Sequence, residues 1–170
     1  MEKLPVPDEI QQVKNFRFLR VKEQNTTFYF ICNNTVNRTV ELDIGFKKIA
    51  AVFFKHEIPN EAEVEYAINC IEDELMRNKD LVNDNEELYT DAEFIIDILN
   101  VQPNSTKYYS RQDVEEVFTK YALLSMGRSP VYDDIKMDKE EYAGLLILRE
   151  IMHHLNYTNL AVINNGINGK

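Results

Sequence analysis

Three strand-like runs, each closed by a polar turn, succeed one another within the first third of the chain. Phe16-Arg17-Phe18-Leu19-Arg20-Val21 alternates in part, Phe28-Tyr29-Phe30-Ile31-Cys32 is aromatic-rich, and Thr39-Val40-Glu41-Leu42-Asp43-Ile44 stops at Gly45. Gln24-Asn25-Thr26 and Asn33-Asn34-Thr35, with Asn37, supply the turns. This spacing describes an antiparallel meander. The rest of the chain must cover a sheet.

Beyond Gly45 the sequence is mostly helical in pattern. The apolar stretch Lys47 to His56 either extends the third strand or starts a short helix. Pro59-Asn60 opens a longer one, with Val64, Ala67, Ile68, Ile71 and Leu75 on one face and Glu61 and Glu63 in its first turn, where the helix dipole favours anions. Glu87-Leu88-Tyr89 reads as a short strand and Ala92 to Leu99 as a short helix, broken at Pro103-Asn104-Ser105. Ser110, with Asp113 three residues on, caps a helix carrying Val114, Val117, Phe118, Tyr121 and Leu124. From Asp138 to Leu155 runs the most apolar helix, apolar nearly all round and therefore expected at the centre. Asn159 to Ile163 is a last strand. The expected order is βββαβα(αα)β: an α/β fold with a mixed five-stranded sheet and helices on its faces. Residues 1–13, with two prolines, are expected to form a flexible N-terminal arm, and residues 14–170 a single domain.

Composition narrows the partners. Apolar residues make up 44% of the 170, enough for a core, and no apolar run approaches the roughly 18 residues that span a bilayer. The start, Met1-Glu2-Lys3-Leu4-Pro5, has no apolar signal-peptide region, so a cytoplasmic protein without membrane contact is expected. Cys32 and Cys70, outside any reactive motif, are expected to be buried, reduced thiols, and triplets such as Asn25-Thr26-Thr27 to be chance matches to a glycosylation signal. The net charge of −10 repels polyanions, which argues against nucleic acid and against long polyphosphate unless a local basic pocket exists. The one basic grouping, Lys14, Arg17, Arg20 and Lys22, reads as a solvated strand edge.

No constellation completes a catalytic or metal motif, so no catalytic, cofactor or metal residue is assigned. Asp43 before Gly45 fits a strand-end turn better than a metal ligand. Glu150 with His153 and His154 is half of a di-iron pattern whose partner Glu-x-x-His is missing, and a polar helix end accounts for it. His56-Glu57 has no nucleophile in an elbow. Asp133-Asp134 and Glu72-Asp73-Glu74 are candidate cation holders that read more simply as solvated faces. Gly127-Arg128-Ser129, an anion-turn candidate, reads as a plain loop.

Several segments together resemble the C-terminal lobe of the exopolyphosphatase/guanosine pentaphosphate phosphatase family, of the actin-like superfamily with a ribonuclease-H-like core. Tyr142 to Met152 resembles the family's A-G-x-x-I-L-x-x-I-M helix, and Asn159 to Gly169 the strand and turn i-x-V-s-x-x-G-L-R-E-G. Leu42 to Lys47, then Ile58-Pro59 and the helix from Glu61, resemble the family's l-P-l-G-a-v-x-L strand and next helix. Ser110 to Leu124 resembles the helix after the second phosphate loop. The resemblance covers residues 14–170 and implies one ribonuclease-H-like lobe.

It also implies phosphate loops that the chain lacks. Where the family has D-x-G-G-G-S-T-E, residues 18–27 read Phe-Leu-Arg-Val-Lys-Glu-Gln-Asn-Thr-Thr, and where it has G-x-G-G-T, residues 88–92 read Leu-Tyr-Thr-Asp-Ala. Neither holds a glycine to let backbone N–H groups close on phosphate. The terminal G-L-R-E-G is replaced by Gly166-Ile167-Asn168-Gly169. The family's other lobe, which carries a catalytic acid, is not among these residues. The expectation is a non-catalytic binding or self-associating module, with Ala50-Ala51-Val52-Phe53-Phe54 as candidate contact surface to a second copy or a partner lobe. The alternatives are a phosphohydrolase needing a partner lobe and a small-ligand or nucleotide sensor.

Overall fold

The computed structural model describes Leu4, residues 10–132 and residues 135–166. The meander forms as the turns dictate. β1 (Asn15–Val21), β2 (Thr26–Cys32) and β3 (Thr35–Leu42) pair antiparallel, Phe18 opposite Tyr29 and Tyr29 opposite Thr39. Asn33 and Asn34 make the second turn with positive φ, which asparagine tolerates better than most residues.

The chain then runs through α1 (Phe46–Phe53), α2 (Glu61–Arg77), β4 (Glu87–Thr90), α3 (Glu93–Ile98), β5 (Ser105–Ser110), α4 (Arg111–Ser125), α5 (Lys139–His154) and β6 (Asn159–Asn164). The segment from Lys47 is thus a helix. A proline-containing bend after it leads to Asn60, whose side chain accepts from the Glu63 N–H while Glu63 reaches back to the Asn60 N–H. Ser110 and Asp113 form the same reciprocal cap on α4.

The sheet has six strands in the order β3-β2-β1-β4-β6-β5. β4 pairs parallel with β1 and β6, so five strands make the expected mixed ribonuclease-H-like arrangement. The sixth, β5, corrects the five-stranded expectation: it adds antiparallel to β6 at the edge, Tyr108 opposite Ala161. Its sequence, Ser-Thr-Lys-Tyr-Tyr-Ser, has no alternation because it is exposed or half-buried throughout. Its pairing with β6 joins residues about 50 to 60 apart in sequence, from Ser110 opposite Asn159 to Ser105 opposite Asn164.

The sheet is apolar on both faces, as central strands require. Leu19, Phe28, Leu88, Leu160 and Val162 turn to one face and join all five helices in the main core. Phe16, Phe18, Ile31, Tyr89, Ala161 and Ile163 turn to the other, where Ile10 and Leu4 pack with them. Among the described residues the α-helices therefore cover one face, not both as expected. Within the core α5 is central as expected, with every residue from Tyr142 to Leu148 buried. Gly144 lets α3 lie against it, since a β-carbon there would stand 2.9 Å from the Phe94 ring.

Both cysteines are free and half-buried, not fully buried as expected, and burial pushes the Cys70 thiol up. Among the described residues no helix is long and apolar enough to cross a membrane.

Candidate functional site

In a sheet of this kind ligands bind beyond the carboxyl ends of the parallel strands, here β1, β4 and β6. The turn after β1 and the start of α1 meet there. Gly45 sits at the end of the β3 segment with extended backbone (φ −136°), so its value is close approach and not a special torsion. A β-carbon on it would fall 2.3 Å from the Gln24 carbonyl carbon and 2.5 Å from the Asn25 nitrogen. The β1–β2 turn is thereby pressed onto the first turn of α1.

The consequence is electrostatic. The first N–H groups of a helix have no partner within it and are a ready anion site. In α1 they are taken: Phe46 N–H donates to the Lys22 carbonyl at 3.0 Å, and Lys47 and Lys48 N–H donate to the Glu23 carbonyl at 3.1 Å each. After β4 the pattern repeats. Thr90, buried, donates its hydroxyl to the Leu19 carbonyl at 2.9 Å and accepts the Ala92 N–H at 3.3 Å. Arg20 closes the same gap with an ion pair to Asp91 at 3.0 Å.

The concavity outside these turns, about 420 Å³, is lined by Glu23, Glu93, Asp97, Asp138, Glu140 and Glu141. Its lysine, Lys47, is engaged by Glu23 at 2.6 Å. The start of α5 there is also filled, because the Asp138 carboxylate accepts the Glu140 and Glu141 N–H groups at 2.8 and 3.1 Å. Burial, then the charges of Asp138 and Asp97, pushes the Glu141 carboxyl up. A second hollow of about 500 Å³ shares Asp97, Asp138 and Glu141 and is also lined by Lys120 and Lys136. The cleft is negative where a phosphate site must be positive.

The other sequence candidates separate. Of the basic grouping, Lys14 and Lys22 are exposed, but Arg17 is buried and corrects the reading of a solvated edge. Arg17 donates to Glu86 at 2.5 Å, to the Leu81 carbonyl at 2.8 Å and to the Tyr157 hydroxyl at 3.0 Å, and lies over the Phe30 ring. Burial pushes the Tyr157 hydroxyl up to about 12, against the pull of Arg17. Asp43 pairs with Lys48 at 2.6 Å, and His56 pairs with Glu63 at 2.7 Å with no nucleophile joined to it. Gly127 and Arg128 N–H groups donate back to Leu124 and Leu123 at 3.0 and 2.9 Å, closing α4 and leaving no anion turn. In the Glu72–Glu74 run, Glu74 binds Arg77 at 2.8 Å while Glu72 binds His154 at 2.9 Å. His153 is exposed. Asp133-Asp134 and Ile167-Asn168-Gly169 lie outside the described residues. Of the candidate surface 50–54, Ala50 and Phe54 belong to the core, which leaves Ala51 and Val52 exposed and Phe53 half-buried.

No protein-family model matches the chain, and no curated protein matches it in sequence. Solved structures do match. The type II variant of the Aquifex aeolicus Ppx/GppA phosphatase superposes with a TM-score of 0.74 at 18% identity, over 92% of this chain and 55% of that one. An exopolyphosphatase-like protein gives 0.72 at 7% identity over 97% and 60%. An exopolyphosphatase from Cytophaga hutchinsonii gives 0.66 at 12% identity over 91% and 56%. The chain has the fold of these structures and spans a little over half of their length.

Proposed function

We propose that this chain is an exopolyphosphatase-related lobe that has lost phosphate binding and acts as a non-catalytic binding or self-associating module. One observation carries the reading: the N–H groups at the start of α1, a ready anion site beside the strand ends, donate instead to the carbonyls of Lys22 and Glu23. Opening that site would break three backbone hydrogen bonds and pull the turn off Gly45. The acid-lined cleft supports the same reading, because a polyanion entering it meets six carboxylates around a lysine already paired.

As to what the module contacts, Ala51 and Val52 on α1 are an apolar surface suited to a second copy or a partner lobe. Light scattering at several concentrations, alongside assays of phosphate release from polyphosphate and guanosine pentaphosphate, tests the proposal. It predicts a concentration-dependent dimer that is indifferent to both compounds and releases no phosphate. Phosphate release would return the chain to the enzymes. A monomer whose melting temperature rises with nucleotide would make it a sensor.

A further inference from the structure

Beyond the cleft, one cluster combines donors for a cation with a buried acceptor that makes no hydrogen bond. Glu150 and His154 stand one turn apart on α5, so their side chains share a face. α2 packs against that face and brings Glu72 to it. The carboxylate oxygens of Glu72 and Glu150 and a ring nitrogen of His154 lie within 4.8 Å of one another.

The bonding is incomplete. His154 Nε2 is 2.9 Å from Glu72 Oε1 and 3.2 Å from Glu150 Oε2. A ring nitrogen carries at most one proton, so it cannot serve both carboxylates, and the hydrogen-bond geometry is met only with Glu72. Glu150 Oε2 has no hydrogen-bond partner, although the Glu150 side chain is only 1% exposed. It is the only charged group among the described residues in that position. An unsatisfied buried carboxylate oxygen is costly. Arg149 does not relieve it: its guanidinium holds the other oxygen, Oε1, and is itself held by Glu115 at 3.0 Å. That contact aims Glu150, as an outer-shell partner does for a ligand.

We propose that Glu72, Glu150 and His154 bind a divalent transition-metal ion of the zinc class, bridging α2 to the end of α5. A zinc ion bonds carboxylate oxygen and imidazole nitrogen at about 2.0–2.2 Å, which sets donors roughly 3.4 Å apart; here the ring nitrogen is 2.9 and 3.2 Å from the two carboxylates and all three donors lie within 4.8 Å of one another. The ion replaces the Nε2 proton and satisfies Glu150 Oε2 at once. Two carboxylates with one imidazole select zinc, cobalt or manganese over magnesium, whose ligands are oxygens. The C-terminal end of α5 adds its partial negative charge. Three protein donors leave a position open to water, and Glu72 and His154, with side chains 36% and 30% exposed, give the ion its path in.

Calorimetric titration of the full chain with zinc chloride, repeated with cobalt(II) followed by its visible absorption, tests this. The expected result is saturable binding of one ion per chain, not displaced by excess magnesium, with cobalt bands of a low-coordinate N/O site. Glu72→Gln, which lies at the rim and leaves the core alone, and His154→Ala should each weaken binding at least about tenfold. His153→Ala should leave it unchanged. The proposal is overturned by absence of saturable binding, by full affinity in Glu72→Gln, by displacement with magnesium, or by equal loss in His153→Ala.

Discussion

Gly45 and Arg17 show how single residues decide what this fold can do. Gly45 admits its own turn where a phosphate-binding glycine would admit a ligand. Gly45→Ala forces a β-carbon to 2.3–2.5 Å from backbone atoms of residues 23–25, which cannot swing aside as a side chain would. A loss of about 3 kcal/mol is expected, read as a lower urea midpoint. Arg17 is a guanidinium held by a carboxylate, a carbonyl and a phenol, with its side chain 8% exposed. Arg17→Ala strands the Leu81 carbonyl and the Tyr157 hydroxyl and should cost roughly 3 kcal/mol. Arg17→Met keeps the stacking volume over Phe30, and Glu86 can turn to water, so it should cost less. Equal urea midpoints for the two variants would show that packing contributes nothing there.

At the scale of elements, the two reciprocal caps tie α2 and α4 to pH. Burial alone would raise the Glu63 carboxyl, but the His56 contact and the Asn60 N–H outweigh it and hold it below the usual range. The Ser110 hydroxyl and N–H hold Asp113 low in the same way. A depressed carboxyl stabilises the fold fully above its unfolded pKa, about 4, and that contribution is lost as pH falls through the folded value. The urea midpoint of Glu63→Gln should therefore lie below that of the native chain at pH 7, and the gap should narrow as the pH falls below about 4. A gap that widens on acidification would reverse the assignment. The Ser110–Asp113 cap was legible as sequence, because the two lie three residues apart, while at α2 only the start at Asn60 and the acids of its first turn were read; α5 was legible too, its apolar circumference demanding a central place. The meander was legible for the same local reason, its turns being short. β5 was not: an edge strand with half-exposed residues carries no alternation, and only its pairing with β6 defines it. Nor was the role of Arg17, whose partners are 64 to 140 residues away. The meeting of Glu72 with Glu150 and His154 was hidden likewise, since the two halves were visible but α2–α5 packing joins them. At the cleft, the missing glycines were visible, whereas the carbonyls that fill the start of α1 were not.

For the whole molecule, charge and topology point the same way. The chain carries a net charge of −10, and carboxylates line the cleft at the strand ends. The fold shared with the Ppx/GppA structures is kept, while the first N–H groups of α1 are turned to internal bonds. On the proposed reading, such packing no longer has to spare backbone donors for a ligand and leaves the lobe to contacts with protein. The most direct test is calorimetric titration of the full chain with polyphosphate and with guanosine pentaphosphate at low and at physiological ionic strength, the second screening the long-range repulsion from the chain's net charge. No saturable heat from either is the predicted result. Saturable binding that Lys47→Ala weakens would place phosphate in the cleft and contradict it.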